Sequence, residues 1–248
     1  MGWVLDLDGV VWLAHRPIAG SAEAIAAIRR CGHPLAFVTN NSQATVGQVA
    51  DRLAAVGIDA DGDIITSAMA VAELVQPGQR VLAFAGPGVT EALRERGVDI
   101  VTDGHVDAVV VGKHVDLSYQ GLAAASRAVR SGARFLATNT DPTYPTPDGL
   151  DPGAGALVAA VATAGGRQPD LVAGKPHAAM ARLVRDHVGD SGIVVGDVAS
   201  TDGLLAQSLG FRFALVLSGV TIEADLPVQP APWHTFADLA SVVAAELG

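Results

Sequence analysis

From Trp3 to Leu247 the chain alternates short apolar runs with longer stretches of helical spacing, and few architectures accept that pattern. Trp3–Leu5, Leu35–Val38 and Ile193–Val195 read as buried strands. The segment after Leu35–Val38 places Val46, Val49, Leu53 and Val56 on one helical face and stops at Gly57. Helices are likewise expected over Ala22–Arg30, with Ser21 as N-cap, and over Ala178–Val188, with Pro176 in its first turn. Strand–helix alternation of this kind specifies a parallel sheet with helices on its faces. The pattern restarts near Gln76-Pro77-Gly78, with strands at Arg80–Ala85, Ala108–Val111 and Phe135–Ala137. That stretch either continues the first sheet or forms a second domain. Pro142–Gly155, rich in proline and glycine, reads as a long irregular loop of the functional kind. Helices are expected at Thr201–Leu209 and Phe236–Leu247.

A length of 248 residues suits one large domain or two modest ones. The net charge of −10 argues against a nucleic-acid partner, which would need clustered Lys and Arg. A small phosphorylated ligand needs only one or two local cations and stays compatible with that charge. No apolar run reaches the ~20 residues that cross a bilayer, so no membrane partner is expected. The N-terminus enters a strand almost at once, and the single cysteine, Cys31, makes neither a disulfide framework nor a cysteine zinc site. The expectation is a cytoplasmic protein.

Ligands of open α/β sheets bind beyond the carboxyl ends of the strands. The polar groups just past each apolar run are Asp6 and Asp8; Thr39, Asn40 and Asn41; Lys175; and Asp197 with Asp202. Asp6 and Asp8, two apart on an extended segment, point the same way and repel unless a cation lies between them or one holds a proton. Carboxylates of this kind hold a hard divalent cation such as Mg2+ through oxygen. A threonine hydroxyl, an asparagine amide and a lysine ammonium hold phosphate oxygens. Phosphoryl transfer asks for little else, because positioning and charge stabilisation do most of the work. Singly, each group has a plainer reading: DxD and TNN cap turns, and Lys175 is a solvated lysine.

The ordered motifs DxDGV, TNNS at 39–42, GKP at 174–176 and GDxxxTD at 196–202 resemble the haloacid dehalogenase-like (HAD) phosphatase superfamily. ATNTDPTYP at 137–145, PGAGALVAAV at 152–161 and LVLSGV at 215–220 resemble its NagD-like, p-nitrophenyl phosphatase branch. The resemblance implies an α/β fold: a Rossmann-like HAD core with a parallel sheet and helices on both faces, and an inserted α/β cap of the C2 type. It puts the core at 1–75 and 174–248 and the substrate-specificity cap at 76–173. It implies Asp6 as nucleophile, Asp8 as acid and base, and Lys175 as the cation neutralising them. It implies Mg2+ on the Asp6 carboxylate, the Asp8 backbone carbonyl and Asp197, with Asp202 orienting a metal-bound water or Lys175. Thr39 and Asn40, with Asn41 beside them, would bind phosphoryl oxygens.

Asp141, after a cap strand, either faces the substrate or forms the turn before Pro142. Relatives often pair through their caps, so a homodimer through the cap is an expectation of the same kind. Two departures stand out. Val198 and Gly203 interrupt the fourth motif where a polar and an aliphatic residue are usual. Gly112-Lys113-His114 replaces a stretch that is often acidic. The roles of Lys113, His114 and His177 are left open by the motifs. The function expected is Mg2+-dependent hydrolysis of a small phosphorylated metabolite: a sugar phosphate, glycerol phosphate, nucleotide or pyridoxal phosphate. A non-catalytic phosphometabolite-binding protein and a phosphotransferase on the same scaffold are the alternatives.

Overall fold

The computed structural model describes residues 1–248 except Ala14, His15, Asp61 and Pro147. The chain forms two compact units: Met1–Thr39 with Gly47–Ile65 and Lys175–Gly248, and Asn40–Val46 with Thr66–Gly174.

The first unit is organised by a six-stranded sheet. Its order is His234–Phe236, Arg212–Val216, Gly192–Gly196, Gly2–Leu5, Leu35–Thr39 and Ile64–Thr66. The pairs from His234–Phe236 across to Leu35–Thr39 are parallel, with Val4 opposite both Val194 and Ala36. Trp3, Val4 and Leu5 are all buried, which is why the strand reads as an unbroken apolar run: both faces are covered. Ala178–Val188 packs on the adjacent strands Gly2–Leu5 and Leu35–Thr39, and Ser21–Arg30 packs against Leu239–Leu247.

Four local expectations change here. Gly20, not Ser21, caps the first helix, and Ser21 is instead buried with its hydroxyl donating to Val10 O. His177 caps Ala178–Val188, which leaves Pro176 just outside the helix. The helix expected over Thr201–Leu209 is a wide π turn, Ala199–Gly203, followed by Leu204–Leu209. Insertions of that sort re-aim side chains and recur at functional sites. At the C-terminus, His234–Phe236 is an edge strand. The last helix starts only at Leu239, where Asp238 accepts a bond from Ser241 N.

The second unit has its own five-stranded parallel sheet, in the order Leu171–Val172, Arg134–Ala137, Ala108–Val111, Arg80–Phe84 and Asp99–Ile100. Phe84, Val109, Val111 and Phe135 pack against Ala125, Val129, Val158 and Val161 of the helices Tyr119–Arg130 and Ala154–Gly165. The stretch read as an irregular loop is largely a hairpin, Thr143–Thr146 paired antiparallel with Gly149–Pro152. Pro147 of that stretch lies outside the described residues. Prolines mislead here because each strand of an isolated two-stranded ribbon has an edge that needs no donor.

Candidate active site

Asp6 is the first residue beyond the central strand, and its amide donates to Val195 O at 3.0 Å. The neighbouring strand ends at Gly196, so Asp197 leaves the sheet at the same edge. The π turn that follows brings Asp202 back toward Gly196. Lys175 opens the last segment of the unit and reaches both carboxylates, with Nζ 2.8 Å from Asp6 Oδ1 and 2.7 Å from Asp202 Oδ1. Carboxylate oxygens of Asp6, Asp197 and Asp202 all lie within 4.8 Å of one another. Lys175, Asp197 and Asp202 are buried, and the Asp6 side chain is 12% exposed.

Three carboxylates against one ammonium is an unbalanced set in a low-dielectric place. Burial pushes Asp6 well above the ordinary carboxylate range, Asp202 and Asp197 add to the rise, and Lys175 opposes it. Burial, with Asp202 beside it, holds Asp197 up to about 7, against the bonds it accepts and the pull of Lys175. Burial alone would lower Lys175, but Asp202 and Asp6 more than offset it and keep the ammonium charged. The donors are all hard oxygens, and the excess negative charge is what a divalent cation would neutralise. Both oxygens of Asp202 are engaged, Oδ1 with Lys175 and Oδ2 with the Val198 amide at 3.1 Å. The bonds to Asp6 use Oδ1, from Leu7 N and Lys175, and the side-chain bond to Asp197 uses Oδ2, from Val220 N at 2.6 Å. Asp6 Oδ2 and Asp197 Oδ1 are therefore the oxygens of the set that could face a cation.

Residues after the strand Arg212–Val216 complete the seat of Asp197. Thr221 Oγ1 donates to the Asp197 carbonyl at 2.5 Å, and Ser218 Oγ donates to Gly9 O at 2.6 Å. Gly219 must be glycine, because a Cβ there would collide with Asp197 Oδ2. These supports escape a search for titratable groups; the only trace in the sequence is the LVLSGV stretch.

The remaining candidates are not among the three clustered carboxylates. Asp8 is outside the three-carboxylate cluster, and its Oδ1 accepts from Trp12 Nε1 at 3.2 Å. Thr39 ends the strand beside that of Asp6 and is buried. Asn40, Asn41 and Asp141 belong to the second unit. There Asn40 Nδ2 donates to Asp141 Oδ2 at 2.9 Å, and Asn41 Oδ1 accepts from Gln43 N at 3.0 Å in a turn. Lys113 Nζ lies over the Tyr144 ring, 3.0 Å from its centroid, and His114 meets Phe84 edge-on. His177 stands exposed at its helix cap, where partial desolvation lowers its pKa.

The family model for haloacid dehalogenase-like hydrolases matches residues 3–99, and an HAD-hydrolase-like model matches residues 172–242. An acid sugar phosphatase of Staphylococcus epidermidis is 34% identical over 99% of this chain and 97% of its own length. The chain belongs to the haloacid dehalogenase-like hydrolases. The p-nitrophenyl phosphatase from Archaeoglobus fulgidus superposes on this hydrolase with a TM-score of 0.92, at 30% identity and 98% coverage of both chains. A glycerol phosphate phosphatase from Mycobacterium tuberculosis, solved with magnesium and with calcium, gives a TM-score of 0.90 at 35% identity. It is matched over 97% of this chain and about three quarters of its own, 75% in the magnesium complex. Within the superfamily the chain falls in the NagD-like, p-nitrophenyl phosphatase branch, and it is a phosphomonoesterase.

Proposed function

We propose that this hydrolase is Mg2+-dependent and cleaves a small phosphorylated metabolite through an aspartyl phosphate on Asp6. The observation that carries the reading is the Lys175 ammonium held by Asp6 and Asp202, with Asp197 completing a buried carboxylate cluster. The Asp6 and Asp197 carboxylates, with the Asp8 carbonyl, would hold Mg2+, whose charge keeps Asp6 ionised and offsets the negative phosphoryl oxygens. Asp6 attacks phosphorus in line, and the bond to the leaving oxygen breaks as Asp8 supplies that oxygen with a proton. Asp8 then takes a proton from the water that cleaves the acyl phosphate, and both carboxylates return to their starting state. Lys175 neutralises Asp6 and the bound phosphate, and Asp202 orients Lys175. Thr39, Asn40 and Asn41 bind the phosphoryl oxygens.

Residues 1–75 and 174–248 serve as the catalytic core, and residues 76–173 serve as the cap that selects the leaving group. Likeness to an acid sugar phosphatase and a glycerol phosphate phosphatase puts phosphorylated sugars and polyols first among its substrates, ahead of nucleotides and pyridoxal phosphate. Purified protein should release inorganic phosphate from p-nitrophenyl phosphate, stop when chelator is added and resume with Mg2+. Turnover that ignores chelator would defeat the metal assignment.

The cluster also sets a pH dependence when no cation is present. Asp197, held at about 7 against an ordinary 3.8, keeps its proton folded where the unfolded chain has released it. The stability it contributes is full below 3.8 and lost as pH rises through about 7. In chelator, Asp197→Asn should therefore be more stable than wild type at about pH 8, by on the order of a few kcal/mol. The two should converge only below about pH 4, where the unfolded chain is protonated as well. Urea unfolding at both pH values measures the difference, and Mg2+ should shrink it by stabilising only the wild type.

A further inference from the structure

We infer that the loop Ser218–Thr221 confines Asp197 to one oxygen for a cation and thereby makes the site prefer Mg2+ to Ca2+. This selectivity rests on the reading of the carboxylate cluster as a Mg2+ site and deepens it. Ser218, Val220 and Thr221 are positioning residues, and Asp197 is the ligand they position.

The geometry lies wholly within the first unit. Asp197 follows the strand Gly192–Gly196, and the sheet by itself does not settle which carboxylate oxygen points where. The loop does. The Val220 amide donates to Asp197 Oδ2 at 2.6 Å, and Thr221 Oγ1 donates to the Asp197 carbonyl at 2.5 Å. Adjacent residues thus grip the side chain and the backbone of one aspartate. Gly9 and Gly219 close on the same Oδ2, since a Cβ at either position would collide with it. Gly9 also has a φ of 81°, which glycine adopts without strain. Ser218 Oγ donates to the Gly9 carbonyl at 2.6 Å and pins the loop to the segment just past Asp6 and Asp8. Oδ2 is enclosed between two backbone segments and bonded to an amide, and Oδ1 is the oxygen that could face a cation.

A single fixed oxygen suits one of the two ions better. Mg2+ demands near-octahedral geometry and keeps several waters, so it has little use for the second oxygen of a carboxylate. Ca2+ gathers more oxygens in flexible geometry and readily takes both from one carboxylate. Asp197 cannot supply both unless the Val220 bond breaks. The loop therefore withholds a ligand from Ca2+ and nothing from Mg2+. A loop that only propped up the site would favour neither ion.

Calorimetric titration of chelator-treated protein with Mg2+ and with Ca2+, substrate absent, tests this directly. Wild type should bind Mg2+ more tightly. Thr221→Val keeps the side-chain shape and removes the donor, and it should weaken Mg2+ binding about tenfold, the scale on which groups supporting a metal ligand are felt. Ca2+ binding should weaken less than ~3-fold, because the loosened carboxylate can offer both oxygens. Thr221→Ser, which restores the hydroxyl, should recover the wild-type ratio. Ser218→Ala should move the ratio the same way by a smaller factor, and it carries the test if Thr221→Val does not fold. Equal losses for the two ions would overturn the inference. So would unchanged Mg2+ affinity in the folded variants, or a wild type that binds Ca2+ as tightly as Mg2+. A wild type that binds neither ion would defeat the metal reading itself, a result distinct from all of these.

Discussion

Asp6→Asn is expected to lower turnover of p-nitrophenyl phosphate by at least ~10³-fold, the scale on which loss of a nucleophile is felt. An amide does not attack phosphorus, and none of the surrounding groups is replaced by the change. The same substitution should not weaken the fold. Burial and the neighbouring Asp202 and Asp197 make the ionised Asp6 costly, more than Lys175 relieves. A neutral isostere removes that repulsion, while Lys175 keeps Asp202 at 2.7 Å. In chelator at neutral pH, Asp6→Asn should unfold at a higher urea concentration than wild type. Loss of activity with gain of stability is a signature that damage to the fold does not produce. An Asn variant keeping a tenth of wild-type turnover would remove Asp6 from the nucleophile's role.

Lys175→Met should have the opposite balance and the largest effect on stability. The side chain is buried and its ammonium answers Asp6 and Asp202 directly. Methionine fills much of the volume but leaves the carboxylates facing one another without that cation. Breaking a buried ion pair from one side costs about 3–5 kcal/mol. The loss should be greatest above neutral pH, where the carboxylates are ionised, and smaller in mild acid, where Asp6 and Asp197 take up protons. Mg2+ should restore part of it, and adding Asp202→Asn should restore more, because one uncompensated charge is then gone. Urea unfolding across pH measures each step. A Lys175→Met protein as stable as wild type in chelator at about pH 8 would show that the carboxylates are not charged together.

The inner strands of both sheets were legible because parallel strands buried on two faces must be apolar throughout, whereas the edge strands His234–Phe236 and Asp99–Ile100 were not. Trp3–Leu5 and Val109–Val111 carry that signal with no competing pattern. The hairpin Thr143–Thr146 with Gly149–Pro152 was not legible, since its prolines and glycines give the same local signal as a loop and its pairing is its only order. The π turn at Ala199–Gly203 was hidden for a related reason. Its sequence has ordinary helical spacing, and the extra residue is inserted to meet contacts that Asp202 makes with Lys175 and Val198.

Order along the chain was enough to settle which residue types reach the carboxyl edge of the first sheet. Chain polarity and period two determine where a strand's last side chain emerges, and both are local properties. Asp6 and Asp197 are of that kind. Distances between such groups are not local. Whether Lys175 reaches Asp6 and Asp202, whether Ser218–Thr221 closes on Asp197, and whether Asn40 finds Asp141 all depend on how remote segments pack. Those contacts form only once the cores have driven the segments together, so only the tertiary structure decides the balance of charge in the cluster and the orientation of the Asn40 amide.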